Sequence, residues 1–303
     1  MKDLLNYFYF LNVDRINNQN RTYYFTYQNN YFAFFKFDNL ELIDSLLSLN
    51  NYMIYNNYKI SKIILNRNNQ ALTFYENHHY CLILITNPNK SFIDIFEIIN
   101  FNKKLLWFKD SILNRSNWYF LWTRKIDNIE YTIKHLMHKY KLLYQSIYYY
   151  IGLSENAISY LKIINVSNDN LSISHQRVKF NDTKIDFYNP LNLIIDYRVR
   201  DLAEYIKSCF FDKKMSVLDI INKLKKIKMT NVDYIYLYIR LLFPTYYFDL
   251  YDLIISEEIK EENILEITKY QEDYEYLLYE VYSLIKTRVN IIGIEWINKK
   301  FAI

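Results

Sequence analysis

The spacing of apolar positions over residues 1–87 alternates between helical and strand periods. Residues 4–11 predict a short apolar helix, and apolar residues three and four apart over residues 40–49 predict a second helix. Two aromatic-rich runs on either side of Gln28-Asn29-Asn30 are typical of a β-hairpin. Further strands are predicted over residues 60–66, 71–75 and 80–86. This part of the chain is therefore predicted to form a hairpin, a helix and a strand meander.

Helical spacing dominates after Asn87-Pro88-Asn89, which interrupts the last predicted strand. Ser91-Phe92-Ile93-Asp94 has the pattern of a capping box and predicts a helix that continues to about Lys104. Ser216 and Thr230 begin two more capping boxes, and Pro244 is expected to end the helix before it. Other long helices are predicted over residues 127–144, 146–164, 199–211 and 259–288.

A β-like stretch over residues 171–197 interrupts the helical part of the chain. We therefore predict an α+β fold of two lobes, a small β-rich N-terminal lobe over residues 1–87 and a larger, mostly helical C-terminal lobe over residues 88–303. This layout is that of the protein-kinase-like fold of the aminoglycoside phosphotransferases. Layout alone is an analogy and does not specify a function.

The composition is unusual in what it uses and what it avoids. Of 303 residues, 33 are Tyr and 20 are Phe, whereas 2 are Gly and 3 are Pro. The frequent residue types have A/T-rich codons, so we interpret the aromatic excess as drift in an A/T-rich genome. Asn- and Tyr-rich stretches such as residues 50–59 also match a prion-like composition, but ordinary loops are the favoured interpretation.

Several functional classes are disfavoured by the same composition. No apolar run reaches the roughly 18–20 residues of a membrane span, and the N-terminus does not resemble a secretory signal, so synthesis in the cytoplasm is expected. Cys81 and Cys209 are too few for a disulfide framework or a cysteine zinc site. A net charge of +4 is too small to indicate nucleic-acid binding by itself.

Residues 171–203 carry the main chemical signal. Kinase-like phosphotransferases place an Asp two residues after a loop His, and a later Asn or Asp together with an Asp that follows an apolar strand holds Mg²⁺. Here His175 follows an apolar strand, Asp182 comes seven residues later, and Leu193-Ile194-Ile195 precedes Asp196. Arg177 stands at the position of the catalytic Asp, and a guanidinium cannot accept a proton.

This pattern predicts a catalytic-loop position for His175 and Arg177 and metal-binding positions for Asp182 and Asp196. The alternative is that His175 is an isolated loop histidine. A cation at position 177 would favour an anion or a buried acid, for which Asp196 and Asp201 are the candidates.

The phosphate-binding elements of a kinase are hard to find in this sequence. Gly152 and Gly293 are the only glycines, so a Walker-type loop and a GxGxxG loop are excluded. Lys36, at the end of a predicted strand, is the candidate for the lysine that contacts the nucleotide phosphates, with Glu41 or Asp44 as its acidic partner. The alternative of an ordinary surface lysine at a strand end is favoured.

Two other polar groups have simpler explanations. His135 and His138 are one turn apart on a predicted helix, but no third metal ligand is indicated. A basic run follows an apolar helical stripe, which is typical of the solvated face of an amphipathic helix. The run consists of Lys223, Lys225, Lys226 and Lys228.

Three segments resemble one protein family. They are Tyr149-Tyr150-Ile151-Gly152-Leu153-Ser154-Glu155-Asn156-Ala157-Ile158-Ser159-Tyr160, Asp196-Tyr197-Arg198-Val199-Arg200-Asp201-Leu202-Ala203-Glu204-Tyr205-Ile206 and Arg240-Leu241-Leu242-Phe243-Pro244-Thr245-Tyr246-Tyr247-Phe248. They are similar to the YutH-type spore coat proteins of endospore-forming Firmicutes, which are related to the CotS-type coat proteins, the aminoglycoside phosphotransferases and the choline kinases. The likeness covers about residues 118–296, and residues 1–87 agree only in layout.

The resemblance implies a kinase-like fold, a place in the spore coat and other coat proteins as partners. Arg177 departs from the pattern of active relatives, so we expect a pseudokinase with a structural or scaffolding role. A phosphotransferase that uses ATP and Mg²⁺, with Asp182 or Asp201 orienting the substrate, is the alternative. A weaker hypothesis is an anion-binding module formed by Arg177, Arg198, Arg200 and the basic run. We also expect Asp201 to cap the following helix, and Gly152 to mark a close helix contact or a bend.

Overall fold

The computed structural model describes residues 1–19, 22–102, 108–136, 138–164, 170–212 and 215–302. Its N-terminal lobe contains two helices, α1 (Lys2–Tyr9) and α2 (Ile43–Tyr55), and a short 3₁₀ turn at Leu40–Leu42. Its six strands are β1 (Asn17–Gln19), β2 (Thr22–Tyr27), β3 (Asn30–Lys36), β4 (Lys62–Ile64), β5 (Leu72–Tyr75) and β6 (His78–Ile85). The predicted hairpin, helix and later strands are therefore confirmed.

The six strands form one antiparallel sheet in the order β1-β2-β3-β6-β4, and β5 pairs with the other end of β6. Successive side chains of a strand point to opposite faces. Phe32 and Phe34 pack with Leu5 of α1 in one apolar cluster, whereas Ala33 belongs to the main core that includes Leu46 of α2. The sheet is thus covered by α1 on one face and by α2 on the other.

The C-terminal lobe is mostly helical, as predicted. Its helices are α3 (Ile95–Asn102), α4 (Trp118–Leu136), α5 (Lys141–Ile163), α6 (Lys184–Phe187), α7 (Arg200–Phe211), α8 (Val217–Lys225), α9 (Asn231–Leu242), α10 (Thr245–Ile255), α11 (Leu265–Thr268), α12 (Gln271–Ile285) and α13 (Glu295–Phe301). None of the helices within the described residues is long and apolar enough to cross a membrane. Strands β7 (Leu171–His175) and β8 (Leu193–Tyr197) form an antiparallel pair within this lobe.

Several predicted helix boundaries were wrong. The helix expected over residues 127–144 begins nine residues earlier, at Trp118, and ends at Leu136. The helix expected over residues 259–288 is broken into a 3₁₀ turn, α11 and α12. The capping boxes at Ser216 and Thr230 each accept the predicted backbone N–H, and α9 ends before Pro244 as expected.

The capping box at residues 91–94 does not form. Asp94 is the cap of α3, because its Oδ1 accepts the N–H groups of Phe96 and Glu97 at 2.8 and 2.9 Å. Ser91 instead bonds the C-terminal loop, with its carbonyl accepting the N–H of Lys184 at 3.1 Å. Lys104, the expected end of this helix, lies outside the described residues. The boundary proposed between residues 87 and 88 falls in the linker between β6 and α3.

The three segments that resemble the coat family meet in the core of the C-terminal lobe. Tyr150 of α5 stacks on Tyr247 of α10 with ring centroids 3.8 Å apart. The close helix contact expected at Gly152 was wrong, because a Cβ there would have no neighbour within 4 Å, and the alternative of a bend stays a prediction. At Gly293 a Cβ would lie 2.0 Å from the side chain of Asn298, so a larger residue there requires Asn298 and Tyr282 to shift.

Candidate functional site

His175 ends β7 and is buried, with a relative exposure of 2%. Its Nε2 lies 2.8 Å from the carbonyl oxygen of Phe187, and its Nδ1 lies 2.7 Å from Oδ2 of Asp201. A carbonyl only accepts, so Nε2 carries a hydrogen and donates it, while Nδ1 is hydrogen-bonded to Asp201. The imidazole therefore has no free nitrogen to offer a substrate.

Asp201 organises the loop that contains His175. Its carboxylate accepts the backbone N–H of His175 at 2.9 Å and the side-chain amide of Asn102 at 3.1 Å. The expectation that Asp201 caps α7 was wrong, because Val199 occupies the cap position and no side chain caps the helix there. Asp201 is fully buried, and three nitrogens contact its carboxylate. These contacts fix the loop and leave the carboxylate out of reach of solvent.

Arg177 follows His175 and points towards α7 and α10. Its two terminal nitrogens donate to carboxylate oxygens of Glu204 and Asp249, and its guanidinium lies 5.9 Å from the ring of Tyr246. Burial opposes the charge, but the two carboxylates outweigh burial and raise the pKa of Arg177 above its usual range. The position predicted for the catalytic Asp is therefore held by a cation fixed between two acids.

The acid that holds Arg177 is part of a buried cluster that sequence reasoning missed. Glu204 also accepts a hydrogen bond from Arg240 Nε at 2.9 Å, and Lys207 Nζ lies 3.8 Å from it. Burial acts to raise the pKa of Glu204, but the cations around it outweigh burial and hold that pKa well below its usual range. Lys207 donates to the carbonyl oxygens of Arg240 and Phe243 at 2.7 and 2.8 Å, at the C-terminal end of α9.

Asp196, the predicted metal ligand, is fully buried at the end of β8. Its Oδ2 is 2.6 Å from Nη1 of Arg200, and its Oδ1 accepts the backbone N–H of Tyr197 at 2.7 Å. Burial raises the pKa of Asp196, and the cations of Arg200 and Arg240 oppose that shift. Arg200 also donates to the carbonyl oxygens of His175 and Gln176 at 3.1 and 3.0 Å, so one guanidinium joins the loop to β8.

Asp182, the second predicted metal ligand, accepts the backbone N–H of Lys179 at 2.7 Å, and its carbonyl accepts the N–H of Ile93 at 3.1 Å. Burial raises the pKa of its carboxyl group. Asp186 accepts from Thr183 in the capping box of α6. The described residues contain no group of three or more His, Cys, Asp or Glu side chains that could hold a metal ion.

Lys36 lies away from these residues. By strand alternation it shares the face of Phe32 and Phe34, which is the face covered by α1. Nζ of Lys36 lies 3.2 Å from Oδ1 of Asp38, and neither Glu41 nor Asp44, the partners named for a phosphate-contacting lysine, forms an ion pair with it within the described residues. The structure brings His175, Arg177, Asp196 and Asp201 together but leaves Lys36 outside that group.

The arginines of the anion-binding hypothesis are all engaged. Arg177 is held by Glu204 and Asp249, Arg200 by Asp196, and Nε of Arg198 is 3.4 Å from Oδ1 of Asp233. These guanidiniums do not form a free cationic surface.

Comparison with known proteins identifies the family. The model of the family described as "Spore coat putative kinase YutH" matches residues 2–281. The chain belongs to this family. The endospore coat-associated protein YutH of Bacillus subtilis (strain 168) is 26% identical over an alignment of 220 residues, which covers 64% of this chain and 65% of that relative. The match thus spans just under two thirds of the curated YutH protein.

Solved structures support the fold of this YutH-family chain. The spectinomycin phosphotransferase APH(9)-Ia in complex with ADP and spectinomycin superposes with a TM-score of 0.56 at 10% identity, over 93% of this chain and 96% of that one. An aminoglycoside phosphotransferase from Alicyclobacillus acidocaldarius gives 0.53 at 11% identity, over 91% and 93% of the two chains. The two-lobed α+β prediction is therefore confirmed, and at this identity the likeness concerns the fold alone.

Proposed function

We propose that this chain is a kinase-fold protein of the spore coat with a structural or scaffolding role and no phosphotransferase activity. The fixed guanidinium of Arg177 is the observation that carries the proposal. A general base has to reach the substrate hydroxyl and accept its proton. Arg177 does neither, since it is cationic and both of its terminal nitrogens are bound to Glu204 and Asp249.

The nucleotide side of the site supports the same proposal. ATP with Mg²⁺ is the cofactor that the fold implies, and the residues present do not fit it. Arg200 already neutralises Asp196 and would have to release its carboxylate before a metal ion could bind there. Lys36 lies on the α1 face of the sheet and is paired with Asp38.

The test combines nucleotide binding and turnover. Thermal unfolding of the purified chain is measured with and without millimolar Mg²⁺–ATP, together with ATP hydrolysis and phosphate transfer to aminoglycosides. We expect no shift in Tm and no turnover above a heat-denatured control. Turnover that Asp196→Ala or the better tolerated Asp182→Asn abolishes would overturn the proposal.

The alternative is a phosphotransferase in which Asp182 orients the substrate. One observation favours it: the Asp182 carboxylate is only partly buried and, within the described residues, accepts a single hydrogen bond, from the backbone of Lys179. Its predictions are the reverse: Mg²⁺–ATP raises Tm, and Asp182→Asn removes turnover without lowering the stability of the free protein.

The coat role is tested independently of chemistry. We expect the chain to be made in the cytoplasm of the sporulating cell and to associate with other coat proteins. A fluorescent fusion should concentrate at the periphery of the developing spore, and Arg177→Gln, if stably folded, should localise in the same way. A diffuse signal throughout sporulation would contradict the coat role whatever the outcome of the nucleotide assays.

A further inference from the structure

A cavity of about 370 Å³ opens where the two lobes meet. The segment that leads into α2 forms one side through Asn39 and Leu42, and the start of α4 forms another through Trp118 and Trp122. Its volume falls within the roughly 300–1,000 Å³ range of small-molecule sites. The proposed function uses none of this space.

The cavity presents cationic donors that are not fully used. Arg115 lines it and is exposed, and its side chain makes no hydrogen bond or ion pair within the described residues. Its backbone is nevertheless fixed, since its N–H donates to the carbonyl of Ile195 at 2.8 Å. Arg240 also lines the cavity; its Nε is bound to Glu204, and its two terminal nitrogens form no hydrogen bond within the described part of the chain.

Flat aromatic side chains form the wall beside these donors. The rings of Trp118 and Trp122 stack with centroids 5.0 Å apart, and Trp122 stacks on Phe243 at 4.2 Å. The Arg240 guanidinium lies 5.1 and 5.6 Å from the two indoles. Trp118 is 1% exposed, and its indole N–H has no partner within the described residues.

Charged side chains lie beneath the cavity. The ion-paired cluster there joins the guanidiniums of Arg177, Arg200 and Arg240 and the amine of Lys207 to the carboxylates of Asp196, Glu204 and Asp249. Burial, reinforced by Arg200, lowers the pKa of Arg240 to about 10. Glu41 is the single carboxylate among the described lining residues, and it has no ion pair in that part of the chain. An added anion would be attracted by Arg115 and by the unbonded terminal nitrogens of Arg240.

We propose that this cavity binds a small oxyanion attached to a planar ring, such as an aryl phosphate or an aromatic carboxylate. Arg115 and the terminal nitrogens of Arg240 contact the anion, and the ring packs against the tryptophan wall. The site requires neither Mg²⁺ nor a nucleotide, so it goes beyond the proposed function and stands or falls separately from it.

Binding is measured without divalent cations, in EDTA, by tryptophan fluorescence and by thermal unfolding. Phenyl phosphate is the probe, benzoate tests the carboxylate, and inorganic phosphate and phenol test the anion and the ring alone. We expect saturable binding of phenyl phosphate, weaker binding of benzoate because of its smaller charge, and little binding of either fragment. Salt should weaken the binding.

Matched variants locate the site. Arg115→Gln should weaken phenyl phosphate binding about tenfold, which corresponds to one charge-assisted contact. Arg124→Gln removes the same charge from an exposed position farther along α4 and should have no effect. Glu41→Gln should strengthen binding. Equal affinity in the two arginine variants, or no saturable fluorescence change in the unmodified chain, would overturn the proposal.

Discussion

The two lobes satisfy their buried polar groups in different ways. In the N-terminal lobe, the buried polar side chains of the described residues are neutral, namely Ser45, Asn50, Ser61, Asn66 and Thr73. The buried side chains of the C-terminal lobe include titratable and charged groups, namely His175, Asp196, Asp201, Glu204, Lys207, Asp233, Arg240 and Glu275. In the N-terminal lobe, buried polar side chains are therefore satisfied by amide and hydroxyl hydrogen bonds. In the C-terminal lobe, buried charged side chains are satisfied by groups of opposite charge. Stability in the two lobes should therefore respond differently to charge removal and to pH.

The largest effect is expected for Glu204→Gln. Glutamine keeps the shape but leaves the cations of Arg177, Arg240 and Lys207 without their shared carboxylate. Breaking a buried ion pair in this way costs about 3–5 kcal/mol. Urea unfolding at pH 7 measures the loss, and Glu266→Gln, an exposed site without ion-pair partners in the described residues, is the control. Equal free energies of unfolding for the two variants would contradict the claim that the C-terminal lobe depends on its buried ion pairs.

The pH dependence of Lys207 should be visible next. Burial, opposed by Glu204, lowers the pKa of Lys207 from 10.5 to about 7. Between these values the folded state binds fewer protons than the unfolded state, so the free energy of unfolding rises with pH. The slope from this group approaches about 1.4 kcal/mol per pH unit.

Urea unfolding between pH 7 and 9, below the usual titration of tyrosine, measures this slope. Lys207→Met should reduce it, whereas Lys226→Met, on the exposed face of α8, should keep it. An unchanged slope in Lys207→Met would mean that another group titrates.

A smaller effect that does not vary with pH is expected in the N-terminal lobe. The Asn50 side chain donates to the carbonyl of Ser61 at 2.8 Å and accepts the N–H of Ile63 at 3.0 Å. Asn50→Ala leaves both groups unpaired at a cost of about 1–3 kcal/mol. The loss should be the same at pH 6 and pH 9. A loss that changes with pH would show that charge also governs this lobe.

The smallest effect should be a gain. Gly152 lies inside α5 with room for a Cβ, so Gly152→Ala should stabilise the chain by about 0.5–1 kcal/mol at every pH. Gly293→Ala is the paired variant and should destabilise, because the new Cβ would meet Asn298 and Tyr282. Thermal unfolding of both variants compares them directly, and a fall in Tm for Gly152→Ala would contradict the open space seen there.

Periodicity predicted the strands well and the helix ends poorly, and residues 259–288 show why. Buried positions recur at helical spacing through the break, at Ile264, Ile267, Tyr274, Leu278, Val281 and Ile285. An apolar stripe of this kind is compatible with one helix or with two. The turn at Tyr270 depends on packing against distant elements, which a local pattern does not contain.

The sequence predicted the order of the candidate site residues along the chain. It did not predict which side chains they contact. The positions of His175, Arg177 and Asp196 followed from a motif, and the structure brings all three together. The fixation of Arg177 depends on Asp249 and Glu204, which lie 72 and 27 residues away in sequence. The one local signal was a charged residue inside an apolar run, as at Glu204 and Arg240. Such a residue is buried only with a partner.

Hydrogen bonds on either side of the linker between β6 and α3 bear on how the two lobes can move. The N–H of Ser61 in the sheet lobe donates to the carbonyl of Tyr188 in the helical lobe at 3.0 Å, and residues 91–93 are bonded to residues 182–184 on both sides of Phe92. Separating the two lobes would break the bond between Ser61 and Tyr188. Enzymes that admit substrate and release product depend on such opening. The structural role proposed above does not require this opening.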